Sequence, residues 1–206
     1  MIYYLGLFGV AVFAISGGLA AGEKKLDWVG VVALGVITSL GGGTIRDLLL
    51  QREQIFWIAN TVYLWVALIA SVFTIVCFRF IASPVRSLLI ADAIGLAMFS
   101  ILGAQVAELE GATPLVVLVM GVLTGVAGGA MRDVLTSEIP MVFRGTETLY
   151  SVASLGGVLT YLIAQQLGFH RDAAALSGVG VAVALRFAAI RWDIRLPVFH
   201  VPGRAE

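Results

Sequence analysis

The sequence predicts an all-α membrane protein with seven transmembrane helices, arranged as two inverted three-helix repeats followed by a seventh helix. Three observations carry this reading. Of the 206 residues, 60% are hydrophobic and only 13% charged. With a mean hydropathy of +1.00, the chain lies outside the range of water-soluble domains and has the bilayer as its main solvent. Apolar runs long enough to cross about 30 Å of hydrocarbon recur along it. Finally, the chain matches itself without a gap at a shift of 86 residues, which carries Gly42 onto Gly128.

The apolar runs fall at roughly 2–21, 28–50, 58–80, 87–107, 114–135, 147–168 and 173–191. The first lacks a basic flank and a small-residue cleavage site, so it reads as a retained span. Connections such as "EKKLD", "SPVRS" and "ELEGATP" are short and polar, which makes neighbouring helices antiparallel and places them in one bundle. Lys24, Lys25, Arg79, Arg86, Arg144, Arg191, Arg195 and Arg204 occupy alternate connections and the tail, whereas the other side has only Arg52 and Arg171. The positive-inside rule then predicts an outside N-terminus and a cytoplasmic C-terminus, as an odd number of spans requires.

The self-match pairs "GVITSLGGGTIRDLL" (35–49) with "GVLTGVAGGAMRDVL" (121–135). Phe13/Phe99, Gly17/Gly103, Gly35/Gly121, Thr38/Thr124, Gly42/Gly128, Gly43/Gly129, Arg46/Arg132 and Asp47/Asp133 coincide. Chance apolar similarity does not explain a match carried by Gly, Arg and Asp. Residues 1–82 form the first repeat, 83–170 the second, and 171–206 the seventh helix and tail. Three spans per copy invert the second copy relative to the first, an architecture of channels and transporters with the site at the repeat interface. The small-residue run "SGVGVAVAL" in the seventh helix suits close helix packing.

Gly41, Gly42 and Gly43, and Gly128 and Gly129 between Ala127 and Ala130, lie deep in the second and fifth spans. Small residues in membrane helices commonly serve close packing. Two clusters at matching inverted positions, each followed by Arg-Asp, instead favour broken helices whose bare carbonyls meet a K⁺ or Na⁺ ion in transit near Gly42 and Gly128. Arg46, Asp47, Arg132 and Asp133 lie at the interface as anchors if the helices are continuous, and face the bundle interior, a pore or a vestibule if the breaks shorten the path. Since sequence neighbours do not face each other on a helix, each Arg is expected to find a partner elsewhere. Asp92 is a further intramembrane acid, suited to a structural hydrogen bond or to ion entry. Ser16, Thr38, Ser39, Thr44, Tyr63, Ser100, Thr124 and Tyr150 supply neutral oxygens, as pore ligands or as bonds between helices, and Phe13 and Phe99 form either an apolar gate or ordinary core.

Other functions lack their parts. A net charge of zero without a basic cluster gives no reason for nucleic acid. Cys77 is the single cysteine and reads as packing. His170 and His200 stand in a loop and the tail without metal-ligand spacing, and no serine or cysteine has a nearby base, so no enzyme and no bound cofactor is expected.

"GGGTIRDLLL" and its echo "GGAMRDVL", with seven spans and an outside N-terminus, resemble the bacterial branch of the trimeric intracellular cation (TRIC) channel family over nearly the whole chain. The resemblance implies a homotrimer in the lipids of the bacterial inner membrane. Each protomer would have its own pore between inverted repeats, with helices two and five kinked at their glycines, conducting monovalent cations with K⁺ favoured. It carries over to Gly41, Gly42, Gly43, Arg46, Asp47, Gly128, Gly129, Arg132 and Asp133. Ala127 and Ala130 depart from a full glycine run, so the two kinks need not be identical. Bacterial members are also labelled glycine transporters, and a carrier for a small zwitterion is the alternative function.

Overall fold

The computed structural model describes residues 2–78, 84–144 and 149–194; Arg79, Arg195, His200 and Arg204 lie outside them. The described residues form α1 (Ile2–Glu23), α2 (Trp28–Leu49), α3 (Phe56–Ala59), α4 (Val62–Phe78), α5 (Pro84–Leu109), α6 (Pro114–Leu135), a 3₁₀ turn (Met141–Phe143), α7 (Tyr150–Gln166) and α8 (Arg171–Trp192), with no strand among them. The protein is an all-helical membrane protein. Large apolar side chains such as Phe8, Trp65, Ile69 and Phe73 point outward and stay exposed, which suits lipid and would be an aggregation hazard in water.

Five helices, α1, α2, α5, α6 and α8, are each long and apolar enough to cross a bilayer. The other two long helices, α4 and α7, have 17 residues each, about 26 Å at 1.5 Å per residue. The expected third span, 58–80, is divided. Its first residues belong to α3, and the Asn60 side chain accepts from the Val62 N–H at 3.1 Å to start α4 afresh. Elsewhere the starts follow local chemistry: Asp27 caps α2 by accepting from Gly30 N–H at 2.7 Å, and Pro114 opens α6.

The self-match extends to backbone turns that side chains do not announce. Residues with positive φ follow α1 at Lys25 (56°), α2 at Gln51 (51°), α5 at Gly111 (75°) and α6 at Ser137 (58°). In each turn the next N–H reaches five residues back, as from Arg52 to the Asp47 carbonyl at 3.0 Å and from Glu138 to the Asp133 carbonyl at 2.8 Å. These are left-handed caps that satisfy the last carbonyls of each helix. Lys25 and Gly111, like Gln51 and Ser137, are partners at the 86-residue shift.

The expected breaks at Gly41–Gly43 and at Ala127–Ala130 are not present, because α2 and α6 run as unbroken helices through both clusters. Their glycines serve an approach between helices instead. A Cβ on Gly42 would collide with the Thr124 carbonyl oxygen, and one on Gly128 with that of Thr38. Bare glycine surface lets each helix lie against the peptide backbone of the other while both keep their own hydrogen bonds, the cheaper solution in hydrocarbon. The pairing of 42 with 124 and of 38 with 128 also means that α2 and α6 cross antiparallel, with their C-termini directed to opposite ends of the bundle.

The same reciprocity holds between α1 and α5. Phe99 lies over Gly9 and Phe13 over Gly95, and the two rings stack at 5.2 Å and 9°. Phe13 also touches the site of Gly128, so the ring pair adjoins the α2/α6 crossing. Part of the small-residue run of α8 packs closely against the bundle: Gly178 of α8 and Gly157 of α7 each approach the carbonyl oxygen of the other, whereas Gly180 faces open space.

Candidate functional site

Arg46 and Asp47 lie in the last turn of α2, and Arg132 and Asp133 in the last turn of α6. An arginine there complements the negative end of the helix dipole. The aspartate is explained by the chain that follows. Asp47 Oδ2 accepts from Phe56 N–H, and Asp133 Oδ2 from Met141 N–H, both at 2.8 Å, so each carboxylate pins the next segment beneath the helix end. Both Arg-Asp pairs are buried.

The expectation that each arginine finds its partner away from its neighbour holds for Arg132, which reaches Asp92 of α5, but its premise that adjacent residues do not pair is corrected at both ends. Arg46 Nε reaches Asp47 Oδ1 at 2.8 Å, and Arg132 Nε reaches Asp133 Oδ1 at 2.9 Å. The guanidinium, with five donors on a long stem, curls over the helix end where no further turn blocks it. The first pair also meets Arg52, whose Nη1 is 3.4 Å from Asp47 Oδ1; Arg52 is partly exposed and binds Glu110 at 2.8 Å. Phe56 lies under Arg46 at 5.5 Å.

The second pair is enclosed further. Arg132 Nη1 donates to Asp92 Oδ1 at 2.7 Å and to Ser16 Oγ at 2.6 Å. Tyr150 Oη is 3.4 Å from the same Asp92 oxygen, and Arg186 of α8 approaches Asp92 Oδ2 at 3.9 Å while stacking over the Tyr150 ring at 4.8 Å. Gly129 makes room, since a Cβ there would stand 2.7 Å from Tyr150 Oη and 3.1 Å from Asp92 Oδ1. Asp92, Ser16 and Tyr150 thus join Arg132 and Asp133 as anticipated site residues that the fold brings together. Arg186 was missed. An arginine near the end of a final span reads as reaching for the interface, yet this one is fully buried.

A mixed polar cavity of about 360 Å³ opens beside Asp133, bordered by Glu23, Lys24, Glu138, Met141 and Arg144. Lys24 and Arg144 both meet Glu138, at 2.5 and 3.2 Å, so these basic residues share one end of the bundle. The hydrogen bond and charge of Lys24, with the charge of Arg144, hold the Glu138 carboxyl below its usual range.

Between the two charged ends lies the neck. Arg46 and Arg132 each stand about 9 Å beyond the middle of the antiparallel crossing, so the two sites are separated by about 18 Å along it. The neck is closed by the Phe13/Phe99 stack and the Gly42/Gly128 contacts. Thr38 and Thr124 donate to the carbonyls of Leu34 and Met120, both at 2.6 Å, within their own helices. In this arrangement the backbone at Gly42 and Gly128 leaves no space for an ion.

The remaining anticipated residues lie elsewhere. Ala127 and Ala130 line an outward apolar groove with Met131, whose terminal methyl meets Gly41, so these three positions do not border the neck. Gly43 makes room for the Phe56 ring. Thr44 donates to Leu40 O at 2.8 Å and accepts from Trp57 Nε1 at 3.0 Å, and Ser100 links α5 to Ser154 of α7 at 2.6 Å.

A family model described as glycine transporter matches residues 3–79 and 89–166, leaving α8 outside it. The inner membrane protein YadS of Escherichia coli K12, named UPF0126, is 42% identical over 203 residues, covering 97% of this chain and 96% of that one. A UPF0126 membrane protein of Vibrio cholerae is also 42% identical, over 97% of this chain and 83% of its own. The TRIC trimeric intracellular cation channel orthologue of Rhodobacter sphaeroides superposes with a TM-score of 0.89 at 36% identity, covering 94% of this chain and 98% of that one. The chain belongs to the TRIC family. A second TRIC cation channel structure agrees, with a TM-score of 0.86 at 33% identity over 98% of both chains. The TRIC resemblance read from the doubled glycine and Arg-Asp motif is therefore correct, although the glycines act differently from the expectation.

Proposed function

We propose that this TRIC protein is a cation channel, caught with its neck closed. One observation carries the reading: an antiparallel, glycine-lined crossing plugged by paired phenylalanines joins two buried acid-bearing ends. The reciprocal contacts support two inverted repeats, 1–82 and 83–170, with α4 and α7 as the third and sixth of seven spans and residues 171–206 added after them. Separation of Phe13 from Phe99 and of α2 from α6 would open a passage past the carbonyls of Thr38 and Thr124. These oxygens can replace part of an ion's water shell and then release it. Asp47, Asp92 and Asp133 offer carboxylate oxygens at the two ends of that route, each held by an arginine whose charge keeps the site from trapping an ion.

Further details rest on the family resemblance and the charge bias: a homotrimer with one pore per protomer, K⁺ favoured over Na⁺, and a bacterial inner-membrane location with the Lys24/Arg144 end cytoplasmic. Recording from the purified protein in planar bilayers tests the function. Unitary current steps reversing at the K⁺ potential are expected, and saturable glycine uptake without steps would replace the channel with a carrier.

A further inference from the structure

Outside the neck, one groove combines charge with apolar surface in a way that the conduction path does not use. It lies between the first turns of α5 and the last turns of α8, has a volume of about 540 Å³, and is lined by Arg86, Ile90, Phe187, Ile190 and Arg191. Arg86 and Arg191 are exposed. The other arginines of the described residues have carboxylates or further partners, whereas neither of these two forms an ion pair with any described residue. Ile90 and Phe187 turn 47% and 38% of their surface outward, enough to offer an apolar floor below the two charges. Trp192, next to Arg191, is 69% exposed, and a tryptophan in the last turn of a spanning helix marks the headgroup level.

We infer that the α5/α8 groove is a binding site for an anionic phospholipid, whose phosphate sits between Arg86 and Arg191 and whose acyl chain lies over Ile90, Phe187 and Ile190. Charge complementarity selects this occupant. Two guanidinium groups at headgroup depth match phosphate oxygens as fork-shaped donors, and basic pockets between spanning helices recognise acidic headgroups. A zwitterionic lipid brings a cation of its own to the same place. A second copy of this chain would bring two more unmatched arginines unless it met the groove with a different face. The site rests on the membrane reading and not on ion flux, so a protein that passes no current still tests it.

Native mass spectrometry of the full chain in detergent, titrated with phosphatidylglycerol or with phosphatidylcholine of the same acyl chains, is the test. Phosphatidylglycerol is expected to bind the wild type in preference. Arg86→Gln/Arg191→Gln should weaken it by about tenfold to thirtyfold, two charges at roughly 1 kcal/mol each, without changing phosphatidylcholine binding or the oligomer observed. Arg86→Lys/Arg191→Lys should keep most of the preference, and Phe187→Ala should weaken both lipids. Equal binding of the two lipids by the wild type, unchanged phosphatidylglycerol binding by the Gln variant, or a change of oligomer in place of lipid loss would overturn the site. If the Gln variant does not fold, raised KCl on the wild type decides: the preference must fall with salt, and a salt-insensitive preference would overturn it as well.

Discussion

The end of α2 and the end of α6 share a motif, a cap and a pinned carboxylate, yet differ in what surrounds the arginine. Arg46 meets Asp47, a phenylalanine ring and, through Asp47, the partly exposed Arg52. Arg132 is fully buried among Asp133, Asp92 and Ser16, with Arg186 beyond. One substitution between the repeats accounts for much of this. At the 86-residue shift Asp92 corresponds to Gly6, where a Cβ would stand 2.9 Å from Tyr63 Oη. The first copy therefore fills with an aromatic side chain the place where the second puts a carboxylate, and only the second has α8 alongside to add a further charge. The two matching segments share a backbone arrangement, and single positions then leave Arg46 beside the partly exposed Arg52 while enclosing Arg132 in a buried charge cluster.

The largest expected effect comes from breaking that cluster. Asp92→Ala leaves two buried guanidinium groups without their shared carboxylate, which should destabilise the protein by about 3–5 kcal/mol. Thermal unfolding in detergent measures this, and Asp92→Ala/Arg186→Leu should recover part of the loss by removing one of the cations. Gly6→Ala in the first copy should cost less, because the atoms it meets are the far end of the Tyr63 side chain. Equal losses at the two positions would mean that the charge cluster adds nothing beyond packing.

Next come the glycines at the crossing, where the two copies should behave alike. Gly42→Ala and Gly128→Ala each push a methyl group into backbone carbonyl of the opposite helix, an overpacking that typically costs about 1–3 kcal/mol. The losses should agree within the error of the unfolding midpoint, and the double leucine variant Gly42→Leu/Gly128→Leu should abolish current. A marked inequality between the alanine variants would show that the neck does not sit on the two-fold relation. Phe13→Ala and Phe99→Ala form the companion pair. Each should raise the open probability in bilayer recordings by a similar factor, whereas unchanged gating would return the stack to ordinary core.

How much of this was legible in the sequence depends on whether the deciding contact was local. The doubled "GGGTIRDLL" motif announced both the repeat and the family, because Gly, Arg and Asp do not recur in register by apolar bias. The use of the glycines was not announced. A run of three is compatible with unwinding and with close approach, and what decides is a carbonyl on another helix, Thr124 for Gly42 and Thr38 for Gly128. Arg46–Asp47 pairing was hidden by a rule that holds inside helices and lapses in their last turn, where the arginine stem is free to curl. Arg186 was hidden by its place in the chain, since its partner Asp92 belongs to a helix nearly a hundred residues away. The left-handed caps at Gln51 and Ser137 bear no glycine, so only their repetition at the same shift could have marked them.

The smallest effect tests the wetter edge of the second end. Glu138 holds Lys24 and Arg144 at the mouth of the cavity beside Asp133. Its carboxyl titrates below the ordinary carboxylate value of 4.5 because the Lys24 hydrogen bond and charge favour the ionised form. A folded-state value depressed in this way contributes stability that is fully present above the unfolded value and is lost as pH falls through the folded one. The unfolding midpoint of the wild type relative to Glu138→Gln should therefore be constant from neutral pH down to the ordinary carboxylate range and converge only in stronger acid. Exposure and salt keep the difference small at all pH values. If the two proteins instead converge between pH 7 and 6, Glu138 is not held ionised by Lys24, and the basic residues at this mouth are positioned by something other than their shared carboxylate.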